Sequence, residues 1–433
     1  MKTDHSDLPH PVTCRRSVLT ALLGCSVFPA LAQFRVEVSG VGLTQLPIAL
    51  VAFRGESLSP VKLSAVVLAD LERSGRFKAV DTANLVMDES TRPDLAAIRQ
   101  RNADSLGVGS VTRLADGRFD VRFRLWDVVG AADLGGQTFV VSQADLRLVA
   151  HRIADYIHEK LTGEKGVFST RIAYVTKTAR QYNLWVADAD GENAQTALAS
   201  PEPIISPAWS PKGEQLAYVS FESRKPVVYV HDVSTGRRRL LANFRGSNSA
   251  PAWAPDGRSL VLTLSRDGGS QLYAMDASGG EPRRLTQTQG IDTEPVFAPD
   301  GRSLYFVSDR GGSPQIYRMA ATGGAAERVT FVGTYNISPT ISPDGRWLAY
   351  ISRINGAFKL QVLELATGSV NGLTDTTADE SPSFAPNSRL LVYATVQDGR
   401  EALMTTTLDG KIKARLAGQT GDLREPSWGP FQN

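Results

Sequence analysis

A short motif of the form Pro-x-aromatic-[Ser/Ala]-Pro, or a close relative of it, returns at a nearly constant interval through the second half of the chain. Its copies begin at Pro207, Pro251, Pro295, Pro339, Pro382 and Pro426, so successive spacings are 44, 44, 44, 43 and 44 residues. The third position holds Trp209, Trp253, Phe297, Ile341, Phe384 and Trp428. An interval this regular marks an architecture built by repeating one supersecondary unit, because a unit of that size cannot bury its apolar face alone.

The grammar inside each unit identifies it. The motif is followed by a turn such as Pro255-Asp256-Gly257, where Asp opens the turn and Gly takes a left-handed conformation at low cost. An alternating strand comes next, as in Leu348-Ala349-Tyr350-Ile351-Ser352, read here with one apolar face. A second turn (Asp309-Arg310-Gly311-Gly312), a third strand (Gln315-Ile316-Tyr317-Arg318-Met319), a Gly-containing turn and a short last strand complete it. Four short antiparallel strands in 44 residues make one blade of a β-propeller. The motif aromatics are expected to fill the space between blades. The Asp-Gly turns lack the dense alternating carboxylates of a calcium loop.

The chain ends set the blade number. Residues 171–176 read as a second strand with no first strand before them, and Pro426-Ser427-Trp428 reads as a first strand with no successor. One blade made from both halves gives six blades and removes the exposed edges of an open array.

Residues 33–162 carry no repeat. Ile48-Ala49-Leu50-Val51-Ala52-Phe53 reads as a buried strand, 63–74 and 146–161 have helical spacing, and 119–128 alternates as a strand. Gly163 and Gly166 end the last helix and form a short hinge. The expected fold class is therefore mainly β: a six-bladed propeller over 163–433 behind a small α/β domain over 33–162.

Residues 1–32 read as a signal peptide, with Arg15 and Arg16 as the positive region, a short apolar run from Val18 to Phe28, and cleavage between Ala32 and Gln33. Arg15-Arg16-Ser17-Val18-Leu19 also fits a twin-arginine signal, and Leu22-Leu23-Gly24-Cys25 a lipobox that would leave Cys25 acylated. Cys14 and Cys25 are the only cysteines, so the mature chain is expected to hold no disulfide and no thiolate chemistry. No later segment approaches the roughly 20 apolar residues of a membrane span, so the mature chain is expected to be soluble and peripheral to the membrane. A formal net charge of +2 gives no electrostatic case for nucleic acid.

Parts for catalysis are scarce. His151 and His158 lie seven residues apart on one predicted helix, about 10 Å from each other and too far for one metal. With His231 they read as core or solvated residues. No Gly-x-Ser-x-Gly elbow, phosphate loop or dinucleotide fingerprint occurs, and Gly107-Val108-Gly109 reads as a turn leading into a strand. No catalytic, cofactor-binding or metal-binding residue is therefore expected. What a propeller offers is a rigid face of converging loops, such as 243–250 and 287–294, suited to seating a partner.

Three stretches take the reading further: Ser206-Pro207-Ala208-Trp209-Ser210-Pro211, Leu216-Ala217-Tyr218-Val219-Ser220-Phe221-Glu222-Ser223 and Glu159-Lys160-Leu161-Thr162-Gly163. In these, and in the linker from Lys165 to Val175, the chain closely resembles the TolB family, periplasmic propellers of the bacterial Tol-Pal system. The resemblance covers the whole mature chain. It implies a non-catalytic, monomeric periplasmic adaptor, without cofactor, that keeps the outer membrane intact and supports its constriction at division. It implies binding of the lipoprotein Pal on the propeller face and of TolA through the N-terminal strand, with other outer-membrane proteins as further partners.

By position, the Pal-facing residues correspond to Ser247, Asn248, Ala250, Thr293 and Glu294, and the TolA-binding strand to Gln33, Phe34, Arg35, Val36, Glu37 and Val38. Ser247 stands where the family often has histidine, and Gln33-Phe34 where an acidic residue is common. Phe34, Val36 and Val38 alternate with Arg35 and Glu37, so the strand can add to an exposed sheet edge or lie back on its own protein. Read without the resemblance, it is an ordinary first strand of the N-terminal domain. A second class of function stays open: a propeller enzyme or ligand-binding protein that uses the central channel.

Overall fold

The computed structural model describes residues 36–38, 45–418 and 421–432. The expected signal segment, its cleavage point at Ala32 and Gln33, and Gln33, Phe34 and Arg35 of the N-terminal strand lie outside the described residues.

The N-terminal domain is a five-stranded mixed sheet formed by β2 (Leu46–Leu50), β3 (Phe77–Ala79), β4 (Ser105–Arg113), β5 (Phe119–Asp127) and β6 (Ala132–Val141), in the order β3-β2-β4-β5-β6. Strand alternation sends Ile48 and Leu50 of β2 to one face and Ala49 and Val51 to the other. The first face is covered by α1 (Leu63–Arg73) and α3 (Leu146–Thr162). Their buried residues recur every fourth position, Leu63, Val67 and Leu71 on one helix and Val149, Ile153 and Ile157 on the other. The second face packs against Ile98 of the short α2 (Leu95–Arg99).

Two local readings change. The strand expected from Ile48 to Phe53 stops at Leu50. Gly107 and Gly109 stand inside β4, not in a turn before it. They are glycine because a Cβ at 107 would meet Leu50 Cδ1 at 2.6 Å, and one at 109 would meet the Arg122 carbonyl oxygen at 2.6 Å.

The remainder is a ring of six antiparallel sheets. The first blade joins Asp422–Trp428 from the C-terminal end to Arg171–Lys177, Tyr182–Asp188 and Gln195–Ser200. The second to sixth follow in sequence over 204–242, 248–284, 292–328, 336–372 and 380–415. Each motif strand is the innermost of its blade and neighbours the motif strands of the adjoining blades, so the ring closes.

Leu348 to Ser352 are all buried, not buried on one face as the alternation suggests, because each blade is covered on both sides. Motif tryptophans stitch blades together: Trp209 Nε1 donates to the Ser427 carbonyl at 3.0 Å and Trp253 Nε1 to the Ala208 carbonyl at 3.2 Å.

The linker between the domains is fastened. Gly163 caps α3 in a left-handed conformation (φ 75°), and the Asp155 carboxylate accepts from the backbone N–H of Phe168 at 2.8 Å and of Ser169 at 3.1 Å. A Cβ at Gly166 would lie 2.7 Å from Asp155 Cα, so the expected hinge is pressed against the helix it leaves.

The strand β1 (Val36–Val38) does not join the N-terminal sheet. It is the fifth strand of the sixth blade, antiparallel to the outermost strand Ile412–Arg415, with Val36 opposite Ala414 and Val38 opposite Ile412.

Candidate functional site

Every innermost strand carries the same irregularity. Its register slips just before the motif proline, and the residue there adopts a left-handed conformation without being glycine. These residues are Ser206, Ala250, Glu294, Ser338, Ser381 and Glu425, with φ between 47° and 53°. The following proline crowds the right-handed helical region of the residue before it. A side chain in the left-handed region costs roughly 1–2 kcal/mol, and the same strain recurs at six equivalent places around the ring.

The bulge turns all six side chains toward the axis, where they line a channel cavity of about 550 Å³. Two of the six are acidic, and they occupy the fourth and first blades. Burial raises the Glu294 carboxyl above its ordinary range, although the backbone N–H of Ser338 donates to it at 2.6 Å. Glu425 is pushed up to about 7, first by burial and then by the carboxylates of Glu380 and Glu294, against hydrogen bonds from the Ser206 backbone and the Ser381 hydroxyl.

Around this mouth the residues predicted to face a partner divide. Ser247, Ala250, Thr293 and Glu294 are half-buried on the rim. Asn248 is fully buried. Its amide donates to the carbonyls of Phe244 at 3.0 Å, Gly246 at 3.2 Å and Pro226 at 3.2 Å, while its oxygen accepts from the Phe244 N–H at 2.8 Å. Asn248 therefore holds its loop in shape. Asp292 does the same one blade on, pairing with Arg310 at 2.8 Å.

Sequence reasoning missed Ile291, Phe331 and Val332, which project from the loops leading into the fourth and fifth blades at 53, 75 and 57 % exposure. Their signal was an apolar residue in a loop that needs none. Glu425, too, went unremarked, although it stands at the position of Glu294 in the repeat.

A second cluster lies where α1 and α3 meet the first blade. His151 Nδ1 pairs with Asp70 at 2.6 Å, and its Nε2 lies 3.6 Å from Asp188 and 3.9 Å from Asp190. Arg147 pairs with Asp188 at 3.4 Å and with Asp190, and Arg73 pairs with Asp70 at 2.8 Å. Burial alone would push the His151 imidazole down; the Asp70 carboxylate, aided by Asp188 and Asp190, pushes it up to about 10. His151 is thus an imidazolium inside a balanced set of three cations and three carboxylates. Asp70, His151 and Asp190 have the spacing of metal ligands. The two guanidiniums and the imidazolium already neutralise the carboxylates, which argues against a cation there. His158 and His231 are buried, and burial lowers both.

The comparisons with known proteins agree with this architecture. The family model of the TolB beta propeller domain matches residues 158–432, and that of the TolB amino-terminal domain matches 34–134. The chain belongs to the TolB family. The Tol-Pal system protein TolB of a Polaromonas strain is 77 % identical over 422 residues, covering 98 % of this chain and 99 % of its own. The TolB of Bordetella pertussis is 52 % identical, covering 93 % and 92 %. Among solved structures, TolB from Acinetobacter baumannii has a TM-score of 0.84 at 38 % identity and covers 92 % of this chain and 100 % of its own. Like its TolB relatives, the chain is a component of the Tol-Pal system.

Proposed function

We propose that the chain is a non-catalytic periplasmic adaptor that binds the lipoprotein Pal at the channel mouth and TolA through the strand 33–38, keeping the outer membrane intact and supporting its constriction during division. The observation that carries this reading is the rim itself. Ser247 stands in the loop, and Ala250, Thr293 and Glu294 at the start of the innermost strands, beside the buried Asn248 and Asp292, and two of the four are in strained left-handed backbone. A preformed, rigid rim suits protein docking, because little conformational entropy is lost on binding. The expected domain limits, 33–162 and 163–433, assign the docking rim to the propeller and leave the N-terminal domain to carry the strand.

The test is binding of the mature protein, from Gln33, to the soluble domain of its own organism's Pal. Saturable binding that falls at least tenfold in Thr293→Arg, with the melting curve unchanged, supports the adaptor. No binding by the folded wild type overturns it.

One observation favours a second reading, a ligand in the channel: Glu294 and Glu425 form a polar, partly closed chamber. A cation or small molecule that raises the melting temperature of the wild type but not of Glu294→Gln supports it.

A further inference from the structure

A further cavity, of about 210 Å³, lies away from the channel, where the N-terminal domain and the linker meet the sixth blade. Val167 and Phe168 of the linker and Leu390 of the blade, all buried, line it together with the half-buried Leu408. A dry apolar cavity of about 150 Å³ holds a benzene molecule, so this one has room for an aromatic ring with a short tail.

Three polar groups on its wall differ in what they offer. The His158 ring is buried between Phe77 and Phe168, whose ring centroids are 5.9 and 5.8 Å away. Its Nδ1 lies 2.8 Å from the Glu164 carbonyl oxygen, which can only accept, so Nδ1 carries the hydrogen. Burial, joined by the charge of Arg76, lowers the imidazole against the pull of Glu164, and the ring is neutral. Nε2 is therefore an acceptor, and it makes no hydrogen bond among the described residues. The Arg76 guanidinium makes no hydrogen bond or ion pair among the described residues either, whereas Arg389, on the same wall, is paired with Glu164 at 2.8 Å. Asp409, exposed at the mouth, uses one carboxylate oxygen for the Thr407 hydroxyl at 2.5 Å and the Lys411 N–H at 3.1 Å. Its other oxygen makes no hydrogen bond among the described residues.

The wall thus presents a cation, an anion and a neutral acceptor beside an apolar floor. An apolar acid satisfies Arg76 and is repelled by Asp409; an apolar amine does the reverse. A molecule carrying both charges answers both. We propose that this cavity binds a free apolar α-amino acid, its side chain on Val167, Phe168 and Leu390, its carboxylate at Arg76 and its ammonium at Asp409 and His158 Nε2. The ligand touches the N-terminal domain and the sixth blade at once, so occupancy stabilises the seating of one on the other.

Calorimetric titration of L-phenylalanine into the mature protein tests this, with phenethylamine, which lacks the carboxylate, and hydrocinnamate, which lacks the ammonium, as companions. The expected result is saturable binding of phenylalanine with a Kd below about 1 mM, at least tenfold weaker binding of each companion, and a melting temperature that rises with phenylalanine concentration. Arg76→Gln is expected to weaken phenylalanine at least tenfold and to leave the amine unchanged. Asp409→Asn, which retains the acceptor for its turn, is expected to weaken phenylalanine and to leave the acid unchanged. Leu408→Trp fills the cavity from the blade side and is expected to abolish binding of all three compounds; should it not fold, the two charge variants decide. No binding of phenylalanine by the folded wild type overturns the proposal, as does binding that the folded variants leave intact. Equal binding of the three compounds overturns the assignment to an amino acid.

Discussion

Glu294 and Glu425 point into the channel from blades on opposite sides of the ring, and each accepts a hydrogen bond from the backbone N–H of the equivalent residue one blade further on, Ser338 and Ser206. Burial, with the Glu380 and Glu294 carboxylates, pushes the Glu425 carboxyl up to about 7. A carboxyl raised in the folded state favours folding less once it must ionise, so this site loses stability as pH climbs from the ordinary glutamate range through about 7. Glu425→Gln is expected to match the wild type at pH 5 and to exceed it at pH 8. The position is half-open to the channel, which reduces the effect to about 1 kcal/mol. Thermal melts at the two pH values check this, and equal gains at both would refute it.

His151 has the opposite sign. Its imidazolium is favoured in the fold, so its contribution is complete below its ordinary value of 6.5 and is lost as pH rises through about 10. Wild-type stability should fall between pH 6.5 and about 10, with a slope approaching 1.4 kcal/mol per pH unit in the middle of that window and flattening above it. His151→Gln should be less stable at pH 7 and should lack that component of the slope. Urea unfolding across the range is the measurement.

Asn248→Ala should destabilise the protein by about 1–3 kcal/mol, because it strands one N–H and three carbonyls that the amide now satisfies. It should also weaken Pal binding by loosening the loop that bears Ser247. An unchanged melting curve together with lost binding would instead make Asn248 a direct contact.

Phe331→Ala removes a large exposed ring from the channel-mouth side at little cost to the fold. If the rim seats a partner, this ring is an anchor, and its loss should weaken Pal binding by about 1–2 kcal/mol, near tenfold. Calorimetric titration of Pal into the variant decides it.

The repeat made the propeller, the blade number and the shared first blade legible, because glycine turns and periodic prolines are local signals. The mouth was legible only in outline. Nothing in Glu294 or Glu425 taken alone announces a left-handed backbone; the signal was their shared place before the motif proline, visible once the six copies are aligned. The ion cluster was less accessible still. Asp70, His151 and Asp190 come from three elements far apart in sequence, and His151 reads as an ordinary helix residue until the first blade is placed against it. The glycines of β4 misled for a related reason: their role is to admit Leu50 and the Arg122 carbonyl, and close approach leaves no mark in a single sequence.

The pairing of Asp422–Trp428 with Arg171–Lys177 also fixes an order of events. A chain synthesised from its N-terminus delivers the second, third and fourth strands of the first blade early, and the innermost strand of that blade last of all. Until Trp428 reaches Thr170, to which its indole donates at 2.8 Å, the ring has an open seam at which Arg171–Lys177 has an unpaired edge. The chain therefore carries a sticky flank until its last strand is in place, and deletion of the last twelve residues should leave a species that aggregates although five blades are complete. Ring closure is a checkpoint that only a full-length chain can pass.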